Sequence, residues 1–370
     1  MHDLLLTQKI AEIRPEIDKI AELELADVPL SQLTTLRLGG QPLLTARCMS
    51  QAAAIKLVTL LDAHSVPLLV VGGGSNLVVA DGDLDIVAVV LDFDAISINP
   101  GTGLLRAEAG AEWDDVVALS LDAGLGGIEC LSGIPGSAGA VPVQNVGAYG
   151  AEISSVLTQV RILDRATGDV SWQPATSLEL AYRYSNLKFT ARAVVLAIEL
   201  QLTLDGLSAP LRFGELARRL GATEPGERRP AGEVREKVLE LRRGKGMVLD
   251  PEDHDTWSAG SFFTNPTVDN RVADYVRRVT GEDNMPCYPV AGTDQSKLSA
   301  AWLIERAGFP KGYPGKGRAT LSTKHTLALT NRGEATTDDL VALARDVVAG
   351  VDDKFGVQLV PEPVWVGVEL

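Results

Sequence analysis

A chain of 370 residues, 45% of them apolar, is long enough for two or three domains with separate cores. Its 49 acidic residues outweigh 34 basic ones, and the resulting net charge of −15 excludes broad binding to nucleic acid or to anionic membrane surfaces. No apolar run reaches the length of a membrane span, and residues 4–6, the only apolar start, are flanked by charge; neither a spanning helix nor a secretory leader is expected, and the reading is cytoplasmic. Cys48, Cys130 and Cys287 are odd in number and far apart, so they read as free thiols. His2, His64, His254 and His325 form no cluster at metal-ligand spacing, and no metal is expected.

In chain order, Ile10, Ile13, Ile17 and Ile20 predict a peripheral helix that Pro15 should kink or restart. Residues 33–40 read as a strand closing on a Gly pair. Residues 50–64 have helical spacing with Ser50 as N-cap, and 67–71 form a buried strand. That strand runs at once into Gly72, Gly73, Gly74, Ser75, Asn76 and Leu77. A dinucleotide fingerprint would want a third Gly where Leu77 stands, then a helix, then an acid where Asp92 lies. The chain instead continues as a strand fragment at Val78-Val79 and an Asp81-Gly82 turn. A strand–Gly-loop–strand phosphate cradle is the reading, with a plain tight turn as the alternative.

Strands are expected at 86–91, 95–98 and 104–109, and a helix at 112–123. Residues 124–152 then hold eight Gly and two Pro among 29, with Ile128, Leu131, Ile134, Val141, Val143 and Val146 interleaved. Such a stretch is no helix, and it is too apolar for a linker. An ordered Gly-rich segment lets backbone N–H groups approach a large anionic ligand. A hairpin at 156–164 and 170–172, a polar-aromatic run at 182–188 and a strand at 193–202 come next. This mixture lacks regular βαβ alternation, which makes the class α+β. Asp205-Gly206 marks a boundary. Beyond it come a short helix within 211–220, an amphipathic helix at 231–243 and the basic cluster Arg242-Arg243-Gly244-Lys245. An aromatic-polar loop at 260–266 precedes helices at 268–280, 297–307 and 336–351, with strand within 318–330 and in the tail at 357–368.

Taken singly, the polar residues have ordinary readings. Ser261 can cap a turn, Arg183 can form a surface ion pair, and Glu362 between prolines can be an edge charge. Arg242 and Lys245 suit the negative end of a helix.

In combination they resemble the UDP-N-acetylenolpyruvoylglucosamine reductase family of peptidoglycan synthesis. The matching pieces are residues 71–77, 133–139, 142–150, 182–185, 260–266 and the Pro361-Glu362 tail, in the family's order over about residues 30–367. The resemblance implies a two-subdomain FAD-binding region of PCMH-like flavoprotein fold, at 1–98 and 99–205. It also implies a C-terminal α+β substrate-binding domain at 206–370, whose tail at 357–370 returns to the active site. FAD would lie on Gly72, Gly73, Gly74, Ser75, Asn76 and Leu77, and on Ser132, Gly133, Ile134, Pro135, Gly136, Ser137 and Ala140. NADPH would be the reductant and a sugar nucleotide the substrate.

Reducing the enolpyruvyl double bond puts hydride on the vinyl terminus and negative charge on the adjacent carbon. That charge needs a cation and then a proton. By resemblance Ser261 is the general acid, Arg183 the cation and Glu362 its partner acid, while Tyr149, Lys245, Asn265 and Arg242 contact substrate. Phe213 stands where many members carry tyrosine, which removes a hydrogen-bond donor. Residues 246–260 are longer than in some relatives and carry Asp250, Glu252, Asp253 and Asp255. Two other classes remain open: an oxidase on a related fold, with Cys130 as a flavin tether, and a flavin-binding module without turnover.

Overall fold

Two compact units divide the residues described by the computed structural model, which are 4–212 and 214–370. The expectations for His2 and Phe213 fall outside those residues. The first unit comprises residues 4–33, Gln41–Gly74 and the described part of Gly82–Val248; the second comprises Thr34–Gly40, Ser75–Asp81 and Leu249–Leu370.

In the first unit, α1 (Leu4–Ile17) and α2 (Gln51–Ala63) are packed on a four-stranded sheet. Pro15 does not restart α1, which runs through it and ends two residues later at Ile17. Ser50 caps α2 by accepting from the Ala53 N–H at 3.2 Å, as expected. The sheet order is Leu23–Ala26, Gln41–Cys48, Asp83–Leu91, Leu68–Val71. Its last three strands run parallel. The expected strand at 33–40 is not formed: Arg37 takes a positive φ of 54°, and the strand begins at Gln41.

The second sheet of this unit is antiparallel, in the order Val170–Pro174, Leu157–Asp164, Ala193–Gln201, Leu104–Glu108, Ile96–Asn99. Its central strand is buried on both faces, with Val194 and Leu196 in the core under α2 and Val195, Ile198 and Leu200 in the core under α3 (Trp113–Asp122). Such double burial explains the uninterrupted apolar run. The unit continues past the expected boundary at residue 206 as far as Val248. Leu216 of α4 (Glu215–Arg219) and Val234 and Val238 of α5 (Ala231–Gly244) pack with Cys130 in a further cluster.

The second unit has a three-stranded antiparallel sheet of Thr267–Asp269, Gln295–Leu298 and Cys287–Pro289. A hairpin pairs Ala319–Leu321 with Leu329–Asn331, and Val364–Val366 pairs parallel with Leu77–Val79. Helices α6 (Asn270–Thr280), α7 (Ala300–Ala307) and α8 (Thr337–Phe355) complete it. Helices α6 and α7 start later than the sequence predicts because a short strand precedes each, and the tail is strand only over Val364–Val366. Phe262, Phe263, Leu303, Leu340, Val347 and Phe355 form its core. A strand, not a helix, succeeds the first Gly loop, so the dinucleotide fingerprint is excluded. Among the described residues no helix is long and apolar enough to cross a membrane, and no group of three His, Cys, Asp or Glu could hold a metal ion.

Candidate active site

The two Gly loops meet within the first unit. A side chain at Gly72 would overlap Ser137 Oγ and come within 3.8 Å of the Ala140 methyl; one at Gly73 would meet Gly136 Cα at 2.6 Å. Only glycine lets the backbones approach so closely. The second loop is held by the first residue of α3 and the chain before it: Trp113 N–H donates to Gly136 O, Ala138 N–H to Ala111 O and Gly139 N–H to Ala109 O, at 2.8–3.0 Å. Ser132 Oγ donates to Glu129 O at 2.6 Å. Gly133, at φ 67°, donates its N–H to Asp114 at 2.6 Å. Asp114 also takes a two-pronged pair from Arg235 of α5, at 2.6 and 2.8 Å. Burial raises the Asp114 pKa, but these donors outweigh it and hold the carboxyl below its ordinary range. Ile134 packs on the core under α3.

Arg183 takes a left-handed backbone, φ 56°, and donates from Nη2 to Gly147 O at 2.7 Å. A methyl at Gly147 would stand 3.1 Å from Arg183 Nη1 and 2.8 Å from Glu152 Cγ. Asn145, buried and also left-handed at φ 45°, donates to Ala181 O at 2.9 Å and to Glu152 at 3.0 Å. It thereby fixes the turn on which Arg183 is carried. Sequence reasoning passed over Asn145 and Gly147 as site residues, although both lie in the Gly-rich stretch.

Tyr149, Arg242 and Lys245 converge near the end of α5. Arg242 donates from Nη2 to Met247 O at 2.7 Å, while its buried Nε has no partner among the described residues. Burial pushes the guanidinium down to about 10. Burial also raises the Tyr149 hydroxyl, against the lowering field of Arg242. Lys245 Nζ pairs with Glu215 of α4 at 2.7 Å, with both side chains about 40% exposed. No motif or spacing pointed to Glu215 as that partner.

Ser261 and Glu362 lie on neighbouring antiparallel segments of the second unit. Glu362 N–H donates to Phe262 O at 2.9 Å, Thr264 N–H to Val360 O at 3.0 Å, and Phe263 forms a bridge with Pro361. Beside the tail, Val364 N–H donates to Asn76 O at 2.9 Å, which brings Asn76 and Leu77 to the same edge. Gly260 turns the chain into Ser261 at φ 72°, in open space. Asn265 has a structural duty that the sequence did not suggest: its Oδ1 accepts from the Ala300 N–H at 3.0 Å, where α7 begins. Thus Gly72, Gly73, Gly74, Arg183, Tyr149, Arg242 and Lys245 belong to one unit, and Ser75, Asn76, Leu77, Ser261, Asn265 and Glu362 to the other.

Residues 42–172 match the family model for an FAD binding domain, and residues 250–366 match that for the UDP-N-acetylenolpyruvoylglucosamine reductase C-terminal domain. Over 359 residues the chain is 66% identical to the UDP-N-acetylenolpyruvoylglucosamine reductase of Corynebacterium diphtheriae, covering 97% of this chain and 94% of that protein. The chain belongs to the UDP-N-acetylenolpyruvoylglucosamine reductase family. A reductase of the same name from Corynebacterium glutamicum strain R is 64% identical over the whole of both chains. The fold is that of the solved reductase from Thermus caldophilus, with a TM-score of 0.62 at 23% identity over 93% of this chain and 99% of that one.

FAD is the cofactor of this reductase family, and the residues present suit its anionic diphosphate. Asp114, which accepts from the second loop's Gly133 N–H, is neutralised by Arg235, and the unpaired Arg242 Nε lies 3.6 Å from where a Gly133 side chain would begin. A buried donor left unpaired costs about 1–3 kcal/mol, a deficit an acceptor on a ligand would remove. Cys130 does not suit a flavin tether, since its buried thiol is pushed far up by burial and by Glu129.

Proposed function

We propose that the chain reduces the enolpyruvyl group of UDP-N-acetylglucosamine enolpyruvate to UDP-N-acetylmuramate, with NADPH as reductant, as a cytoplasmic step of peptidoglycan precursor synthesis. The observation that carries the reading is near-full-length identity to reductases of this name, together with Ser261 and Glu362 on paired segments. FAD, when bound, supplies the hydride that adds to the vinyl terminus.

The chain's own residues do the rest. Gly72, Gly73, Gly74, Ser75, Asn76 and Leu77, with the loop from Ser132 to Ala140, hold the cofactor, which backbone bare of side chains lets approach closely. Arg183, fixed by Gly147 and Asn145, offsets the charge that develops on the substrate carboxylate side. Opposite charges about 4 Å apart gain roughly 4 kcal/mol at an effective dielectric near 20, enough to govern a rate. Glu362 is the partner acid that the family's pattern assigns. Ser261 delivers the proton to the carbon beside the new C–H bond, and the resulting alkoxide must be reprotonated. Tyr149, Arg242, Lys245 and Asn265 bind the sugar nucleotide, with Lys245 on the diphosphate. On this reading residues 1–98 and 99–205 serve mainly the cofactor and residues 206–370 mainly the substrate, with residues up to Val248 folded into the first unit.

Ser261→Ala tests the central assignment. Stopped-flow absorbance should show flavin reduction by NADPH near the wild-type rate and reoxidation by the enolpyruvyl substrate slowed by roughly 10²-fold or more. Equal losses in the two half-reactions would remove Ser261 from the proton-donor role.

A further inference from the structure

Six residues before Ser261, Asp255 buries a carboxylate with 6% of its side chain exposed. It accepts from the Thr323 N–H at 2.8 Å, the Thr323 hydroxyl at 2.5 Å and Arg332 Nη1 at 3.0 Å. Thr323 sits on the turn of the 319–331 hairpin and Arg332 directly after its far strand, so a single side chain clamps the 254–256 turn to that hairpin.

From this clamp the chain is laid along the hairpin. Asn331 N–H donates to Trp257 O at 3.0 Å, Ser258 bridges Thr330, and the Thr35 hydroxyl donates to Ser258 O at 2.7 Å. The next backbone anchor is Phe262 N–H to Leu327 O at 2.8 Å. Ser261 therefore stands between two anchored points, after left-handed Gly260, whose N–H donates to the Ser258 hydroxyl at 3.2 Å. The placement of its hydroxyl depends on how firmly those points are held. Asp253 braces the turn from outside, accepting from the Asp255 N–H at 3.0 Å and pairing with Lys324.

We propose that Asp255 is a positioning residue for Ser261, setting the serine's reach by locking the 255–258 segment to Thr323 and Arg332. The inference rests on the proton-donor role assigned to Ser261 above. A carboxylate suits this place because it accepts from three donors at once and carries the charge that pairs with Arg332; an amide turns NH2 toward the Thr323 hydroxyl, which can accept instead, but forfeits that charge and so loosens the hold on Arg332. Proton transfer is sensitive to ångström-scale misplacement, whereas flavin reduction by NADPH makes no use of Ser261.

The test is Asp255→Asn, with Thr323→Val as a milder change that removes only the hydroxyl donor, both in the FAD-loaded enzyme. Reoxidation by the enolpyruvyl substrate should slow by about 10-fold or more, with a larger solvent isotope effect, while reduction by NADPH stays within about 2-fold. Amide exchange at residues 258–262 should quicken. Parallel loss of both half-reactions, or an unchanged reoxidation rate, would overturn the proposal. If Asp255→Asn fails to fold, Thr323→Val carries the same comparison. Ser261→Ala measured alongside separates the two claims: if it leaves reoxidation intact, the reading of Ser261 falls, and if it slows reoxidation while the other variants do not, only the role of Asp255 falls.

Discussion

Arg183 illustrates how much of this site is set by what its neighbours lack. The guanidinium reaches Gly147 O across a place where a methyl would crowd Nη1 at 3.1 Å, Glu152 Cγ at 2.8 Å and Ala151 O at 2.9 Å, and the turn that carries it is tied by the hold that Asn145 keeps on Ala181. Left-handed backbone costs a non-glycine residue roughly 1–2 kcal/mol, so this turn is held by its surroundings. Gly147→Ala should displace the guanidinium and lower kcat/KM for the enolpyruvyl substrate by about 10-fold or more, while bound FAD and its reduction by NADPH change little. Isothermal titration of FAD beside steady-state kinetics checks both halves; near-normal turnover would mean that Arg183 has other support.

Among the elements, α8 shows sequence and structure in agreement. Its Thr-Thr-Asp-Asp start forms a capping box: Thr336 Oγ1 accepts from the Asp339 N–H at 3.2 Å, and Asp339 accepts from the Thr336 N–H at 2.8 Å. Thr336→Ala should cost about 1 kcal/mol in urea unfolding. The Thr336 N–H, and with it the Thr336 hydroxyl at 2.8 Å, hold the Asp339 carboxyl below its usual range, and the substitution removes the hydroxyl's share. A lowered carboxylate stabilises above the unfolded pKa of about 3.9 and loses that contribution as pH falls through the folded value, so the cost of the substitution should shrink in acid. An undiminished cost there would assign the effect to helix propensity instead.

Periodicity and caps made α2, α3, α5, the 157–174 hairpin and the 193–201 strand legible, because each arises from local spacing. The motifs likewise marked Ser261, Arg183 and Glu362 as candidates. What local spacing could not carry was the use of residues 34–40, whose apolar alternation reads as strand but whose Leu36 and Leu38 fill a core built mostly from the distant C-terminal half. Asn145, Glu215 and Asp255 were equally hidden, since their partners at Ala181, Lys245 and Thr323 lie 30 to 68 positions away.

At the scale of the whole molecule, the second unit is discontinuous. It takes Thr34–Gly40 and Ser75–Asp81 from the N-terminal region and joins them to Leu249–Leu370. The loan is substantial: Leu77–Val79 is the strand partner of Val364–Val366, Arg37 lies 3.9 Å over the Trp257 ring, and Asp81 accepts the Thr337 N–H at 2.7 Å at the start of α8. A fragment of residues 249–370 should therefore lack cooperative thermal unfolding and show rapid amide exchange along α8. A sharp two-state melt from that fragment would show the borrowed pieces to be dispensable.

This interleaving also constrains how the chain is made. On a ribosome, residues 34–40 and 75–81 emerge long before the segments they join, and they must wait, sheltered or exposed, until translation has passed Trp257, Thr337 and finally Val364–Val366. A nascent chain stalled after Val248 would carry both orphan pieces, with Leu36, Leu38 and Val78 still seeking a core. Such an unfinished chain is a natural client for chaperones, and premature termination would be costlier for this architecture than for two domains strung end to end.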